Sequence, residues 1–515
     1  MRLLKKLKEI IVAGPLSGAL LLVTLSGSAS MPPDGPDKLY VSDYENVLGT
    51  SMQIKIAADA PQHAAKAEKA VLAEVDRLNK ILSGYDSSSE FSRWMKADRK
   101  PVPVSPELYE VLALFEQWRI KSDGALDASA ESISKVWRDA AKQNRLPSSE
   151  EIADALHTVH EQHYILNEQN HTARRTSDAA LILNSFAKSY IMNKAANAAL
   201  SVTGVTGLVV NIGGDILVRG GHTELVRISN PKADAENDPP VAQVQLNNKT
   251  IATSGNYRRG EEIGGKWYSH IVDPRTGLPA SGVISATVIA DKSTDAGALA
   301  TALNVLNPEE VKQLVATVPG AEYMLITSDG KQIESEGWKR AEMPETKPAI
   351  KNVPLTDQNK LWDPNYELVI NLELATIGGM RVHRPFVAVW VTDENKKPVR
   401  QIALWYNKPR WLNEMRSWYA AYYGNFSAGN SNISSTSSAT RSPGRYTLKW
   451  DGRDDQGNLV KQGTYIVYIE AAREHGTYQL LSREITLKNP QHYDLAANTE
   501  ISSASLDYRK KTNGN

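Results

Sequence analysis

RAEMPETKPAIKNVP, residues Arg340 to Pro354, holds three prolines among many charged side chains, the composition of a linker. The sequence changes character across it. Upstream, AKAEKAVLAEVDRLNKIL, between Asp59 and Leu82, sets Val71, Leu72, Val75, Leu78 and Leu82 at helical spacing. Pro106–Ile120, Ala187–Leu200 and Asp295–Leu306 read similarly, and strand-like runs lie between them at Met52–Ala57, Leu208–Ile212, Val241–Leu246, Val283–Ala290 and Ala321–Thr327. Interspersed helices and strands point to an α+β domain over residues 36–339. Downstream, 6 of the 11 tryptophans fall between Trp362 and Trp450, and PFVAVWV and GTYIVYIE alternate like strands. In the second run Tyr465, Val467 and Ile469 share one face. An all-β sandwich is therefore expected over 361–489, after a linker at 340–360. Gly424–Pro443 reads as a polar loop and residues 490–515 as a polar tail.

Composition narrows the chemistry. The 515 residues balance 59 Lys and Arg against 59 Asp and Glu, so the surplus of basic side chains that a nucleic-acid binder needs is missing. With no Cys, thiolate metal sites, disulfides and Cys nucleophiles are excluded, and any metal must sit on oxygen or imidazole. Arg2, Lys5, Lys6 and Lys8 precede an apolar run from Ile10 to Leu25, with Gly27 and Ala29 as small residues before a cleavage point. Residues 1–29 thus read as a secretory signal, which predicts a periplasmic or otherwise extracytoplasmic protein. Left uncleaved, the same run would associate the chain with the membrane.

Within the first domain, NIGGD (Asn211–Asp215) suits either a strand-ending turn or the close approach of backbone to a phosphate or flat ring. TSGNY (Thr253–Tyr257) is similarly open between a turn and a phosphate or ribose contact. HIVDPRTG (His270–Gly277) gathers an imidazole, a carboxylate, a guanidinium and a hydroxyl within eight residues, a set suited to phosphoryl transfer or to a Pro-fixed structural turn.

Taken in order with LGTSM (Leu48–Met52), ILSGYDSSSEFSR (Ile81–Arg93), DGALDAS (Asp123–Ser129) with Trp137, LNSFAKSY (Leu183–Tyr190) and ALATAL (Ala298–Leu303), these motifs resemble the FAD:protein FMN transferases over residues 40–330. The resemblance implies an exported enzyme that cleaves FAD and, with Mg²⁺, attaches FMN through a phosphoester to a Thr of an exported acceptor protein. It assigns flavin contacts to Leu48, Tyr85, Ala125, Leu126, Asp127, Lys188, His270 and Ile271, and metal contacts to the Ser185 carbonyl and Thr301. Asp127 also suits a helix N-cap. His270 is the expected base, with Asp273 its orienting partner. One departure stands out: the family's metal-binding Asp is Gly297 here, and the Gly of its AKGY segment is Ser189. Asp295 lies two residues before Gly297, about 200° round a helix, and replaces it only if the helix begins later. Two other functions stay open: flavin binding without transfer, and adhesion or scaffolding through the sandwich. The latter would show in exposed Trp405, Trp411 and Trp418. Asp451, Asp454 and Asp455 suit turn formation or, less commonly, Ca²⁺.

Overall fold

The computed structural model describes residues 38–256, 259–343, 361–376, 384–406, 409–427, 437–438, 441, 443–473 and 476–511. The expected signal at 1–29, Tyr257, most of the Gly424–Pro443 loop and linker residues 344–360 lie outside them. Among the described residues no helix is long and apolar enough to cross a membrane.

The first half is built on one eight-stranded antiparallel sheet. Its order is Lys38–Val47, Thr50–Ala58, Val205–Ile212, Asp215–Gly220, Thr250–Gly255, Val283–Ala290, Glu322–Thr327 and Gln332–Glu334. Alternation along the strands divides the apolar residues between two faces. Leu208, Val210 and Ile212 face the larger core with the helices, while Val209 faces a smaller one closed by the Thr223–Ile228/Ala242–Asn247 hairpin and Trp338. The helix Pro61–Leu82 starts with Pro at its first turn and buries Ala64, Ala67, Val71, Val75, Leu78 and Leu82, one stripe at steps of three and four. It packs on Ala187–Leu200, which in turn packs on Ser293–Ala302. Small residues make the second contact close: Ala296, Gly297, Ala298 and Ala300 are all buried.

The second half is a sandwich. Gly444–Trp450, Tyr366–Leu374, Ile501–Lys510 and Gln491–Leu495 form one sheet; Ser437–Ser438, Pro398–Trp405, Phe386–Asp393, Thr464–Ala472 and Tyr478–Thr486 form the other. Tyr465, Val467 and Ile469 point together into the core between them, as their alternation predicts. The outer face of the second sheet is covered by the helix Arg416–Ser427, which sequence reading missed, and Trp418 and Tyr422 bury there against Phe386 and Trp390. Trp405 and Trp418 are core residues and Trp411 is partly buried, so these three do not form an exposed surface for a partner.

Two boundaries shift, and one contact between the halves was not foreseen. Arg340 and Ala341 complete the helix Trp338–Ala341, and Glu342 bridges to Val244, so the chain leaves the first half later than residue 340. The tail is not a tail: Ile501–Lys510 pairs along the whole of Tyr366–Leu374 and buries Ile501, Ala504, Leu506 and Tyr508. Its alternate positions are Ser, Asp and Arg, which lowers its mean hydropathy to that of a loop. Finally, the halves touch away from the linker. The Glu236 amide donates to the Thr447 carbonyl at 2.8 Å, and Asn237 makes a two-way pair with the Lys449 backbone at 2.7 and 2.9 Å. Lys449 also reaches Asp234, Asp238 and Glu367. A loop of the first half therefore grips the edge strand of the sandwich.

Candidate active site

The motifs, scattered over 250 residues of sequence, are drawn together by short contacts. Leu48 and Gly49, both at positive φ, form the two-residue turn of the first hairpin, where Val47 faces Thr50. The amide of Gly213 donates to the Ser51 carbonyl at 2.9 Å, which lays the NIGGD turn against that hairpin. A Cβ on Gly213, itself at φ 60°, would sit 2.8 Å from the Thr50 side chain. Glycine there lets the two turns touch.

Asp215, at the end of NIGGD, is 7% exposed and pairs with Lys188 Nζ at 2.7 Å. Burial pushes its carboxyl above the usual aspartate value; Lys188 and the Thr253 amide, from TSGNY, pull it back. The expected flavin contact Lys188 thus already neutralises a buried carboxylate. Tyr85 is 82% exposed, its ring open to a ligand and its hydroxyl held at 2.7 Å by Asn184 Nδ2 from LNSFAKSY. The loop that presents it is fixed from below: Ser83 Oγ accepts from the amides of Tyr85 and Asp86, and Ser89 caps the helix Glu90–Met95.

Ala125, Leu126 and Asp127 are buried. Asp127 Oδ1 accepts from the amide and hydroxyl of Ser129 at 2.7 and 2.6 Å, directly before the helix Ala130–Ala141. Asp127 is therefore not the N-cap, which is Ser129; its carboxylate closes a turn just ahead of the helix. The Ala128 carbonyl accepts from the Ile182 amide, and Trp137 Nε1 donates to the Gly277 carbonyl at 2.9 Å, so DGALDAS joins both LNSFAKSY and HIVDPRTG.

His270 and Asp273 are not partners. The Asp273 carboxylate is taken up by the amide and guanidinium of Arg275, which also binds Glu310 at 2.8 Å. His270 Nδ1 lies 2.9 Å from the carbonyl of Arg259. A carbonyl only accepts, so Nδ1 carries the proton and Nε2 presents its lone pair. One side of the ring meets solvent, while the protein around the rest desolvates it and lowers its pKa below the ordinary imidazole value. The neighbouring Ile271 is buried, with its amide on Ser269 Oγ.

The residues do not fit a protein-held Mg²⁺. The Ser185 carbonyl, the Ser189 hydroxyl, the Thr301 hydroxyl and the Gly297 carbonyl are all uncharged, and Thr301 Oγ1 donates back to the Gly297 carbonyl at 3.2 Å. Among the described residues there is no group of three or more acidic or imidazole side chains placed to hold a metal. Asp295 does not substitute, because the helix begins at Ser293, before it, and its charged neighbours are Lys292 and Lys121. Asp455 accepts from the Gln401 amide and Asp454 from the amides of Gln456 and Asn458, the turn reading rather than Ca²⁺.

Residues 48–325, more than half of the chain, match the ApbE family. The chain belongs to the ApbE family. Residues 367–503 of this ApbE-family chain match a second family, described as "Predicted periplasmic protein (DUF2271)". The FAD:protein FMN transferase of Klebsiella pneumoniae (strain 342) is 27% identical over 333 residues, covering 63% of this chain and 93% of that protein. The Escherichia coli K12 enzyme of the same name is 28% identical over 297 residues, 56% of this chain and 84% of its own. The crystal structure of the ApbE protein from Thermotoga maritima covers 59% of this chain and all of its own at 27% identity and a TM-score of 0.53. The flavin transferase ApbE from Vibrio cholerae, at 24% identity and a TM-score of 0.50, shares the fold.

Three residues of this ApbE chain's site, Asn184, Asp215 and Arg259, carry no signal in the sequence alone. Asn184 and Asp215 lie inside quoted motifs, as letters without partners. Arg259 contributes a backbone carbonyl, which no side-chain pattern announces.

Proposed function

We propose that this chain is an exported FAD:protein FMN transferase working in the periplasm. The reading rests on one observation above the rest: distant motifs are tied together by short contacts, Gly213 to Ser51 beside Leu48, Lys188 to Asp215, Asn184 to Tyr85, and Trp137 to Gly277 in the segment that carries His270. Export is supported by the N-terminal signal pattern and by the periplasmic description of the family matched at residues 367–503.

Tyr85 offers its face to the flavin or adenine ring. His270 Nε2 accepts the proton of an acceptor Thr hydroxyl as that oxygen forms its bond to the FMN phosphorus. The bond from that phosphorus to the bridging oxygen breaks, and AMP leaves. Partial desolvation lowers the imidazole pKa and so favours the neutral form that a base needs. Asp273 acts on Arg275 and holds the loop's shape. The Mg²⁺ dependence implied by the resemblance is not carried over, since the residues present do not hold the ion. That same neutral oxygen set favours a second reading, flavin binding without transfer.

Incubating the purified chain with FAD and an exported Thr-bearing acceptor separates the two. Transfer releases AMP and adds FMN to the acceptor's intact mass. Saturable FAD binding with no AMP released supports binding alone, and absence of FAD binding removes both readings.

A further inference from the structure

Glycine inside a helix costs about 1 kcal/mol relative to alanine, so Gly297, within Ser293–Ala302, needs a reason. The reason is volume. A Cβ at position 297 would lie 2.6 Å from Ser189 Oγ, 3.1 Å from the Ser185 carbonyl oxygen and 3.2 Å from Phe186 Cβ. Ser189 is 1% exposed, and its hydroxyl has no hydrogen-bond partner. A hydroxyl buried without a partner is costly, yet it stands where a side chain from the neighbouring helix would otherwise project.

We infer that Ser189 and Gly297 are an exchanged pair: the Ser189 hydroxyl fills the space that position 297 gives up, and the pocket they share with Ser185 and Thr301 is electrically neutral and does not capture Mg²⁺. Resting on the flavin reading above, FAD then binds this chain without a divalent ion. Mg²⁺ sheds its water reluctantly and is normally captured by carboxylates or phosphates; the uncharged protein oxygens here are neither, so the pyrophosphate of FAD is the anionic group left to attract the ion, and the FAD titration below tests that route directly. The exchange also changes what a single substitution can do. Asp at 297 alone meets Ser189 before it meets any ion, and a carboxylate fits only once position 189 is Gly.

The test uses the full-length protein and Mg²⁺ alone. Thermal unfolding of the wild type is expected to be the same in MgCl₂ and in EDTA. Gly297→Ala should melt lower by roughly 3–8 °C from overpacking, whereas Ser189→Gly/Gly297→Ala should melt no lower than Ser189→Gly. Ser189→Gly/Gly297→Asp should gain a melting temperature that rises with Mg²⁺ concentration. A wild-type melting temperature that rises saturably with Mg²⁺ overturns the neutral pocket. Gly297→Ala as stable as wild type overturns the exchange. A parallel FAD titration in Mg²⁺ or EDTA should give equal affinities, and a marked loss in EDTA also counts against the inference. Failure to bind FAD under either condition rejects the flavin reading, while the melting comparison still decides the exchange.

Discussion

Replacing Lys188 by Met is expected to remove about 2–4 kcal/mol of folding stability at pH 8 and far less near pH 4. Asp215 is 7% exposed and has Lys188 at 2.7 Å as its cationic partner. Stripping the partner from a buried charge costs roughly 3–5 kcal/mol, and because the Lys188 side chain keeps 29% of its exposure, solvent carries part of its charge and the cost is discounted to about 2–4 kcal/mol. The Thr253 amide still serves the carboxylate, and Met keeps the apolar stem. The sign with pH follows from burial, the largest influence on Asp215, which sets its folded pKa above the ordinary 3.8. Between 3.8 and that raised value the folded chain holds more protons than the unfolded one, so stability falls as pH rises through the window. Losing Lys188 raises the folded value further; the variant's deficit opens as pH climbs through the widened window and closes below it. Urea denaturation of wild type and Lys188→Met from pH 4 to 8 measures this, and Lys188→Met/Asp215→Asn should recover much of the loss. A deficit that is constant across pH, or absent at pH 8, would refute the pairing as the source of the effect.

Three further outcomes are expected. Tyr85→Ala should weaken FAD binding by ~1–3 kcal/mol with an unchanged melting temperature, since the ring is exposed; fluorescence titration beside a thermal melt reads both. His270→Gln should lower FMN transfer by about 10²–10⁴-fold at retained FAD affinity. In the wild type, transfer should fall only as pH drops through the depressed imidazole value, so a pH–rate profile with its acid limb above the ordinary histidine range would contradict the assignment. Asn237→Ala deletes two hydrogen bonds to the Lys449 backbone, about 1–3 kcal/mol, and should split one calorimetric transition into two. Halves that still melt together would show that the grip of the 230–241 loop is not what couples them.

Where periodicity was strong, sequence and structure agree to within a few residues. The helices Pro61–Leu82, Pro106–Lys121 and Ala187–Leu200 show an apolar stripe or small-residue run that needs no tertiary context, and the Val283–Ala290 strand is apolar at six of its eight positions. Ile501–Lys510 escaped because serines and charges outnumber its four buried side chains, and its pairing partner lies 130 residues upstream. The helix Arg416–Ser427 is rich in aromatic residues, which favour strands; its N-terminal amides are held by Glu470, a carboxylate from a strand 50 residues downstream. The site shows the same division. Which segments converge was legible from motif order, but the partners inside it were not, because Asp273 is two residues from Arg275 and meets it before it can meet His270.

The loop that grips Gly444–Trp450 bears on how these two halves can be separated. On its other side that strand is bonded to Tyr366–Leu374, so the loop covers the strand's open edge with Glu236 and Asn237. Cut away at the linker, the sandwich would present the Thr447 carbonyl and the Lys449 amide as an unpaired template, the kind of edge along which copies of a chain join to one another. The flavin half thus acts as the sandwich's gatekeeper against self-association. A stand-alone version would have to carry its own, such as a proline or an inward-pointing lysine on that strand, before it could be transplanted to another protein.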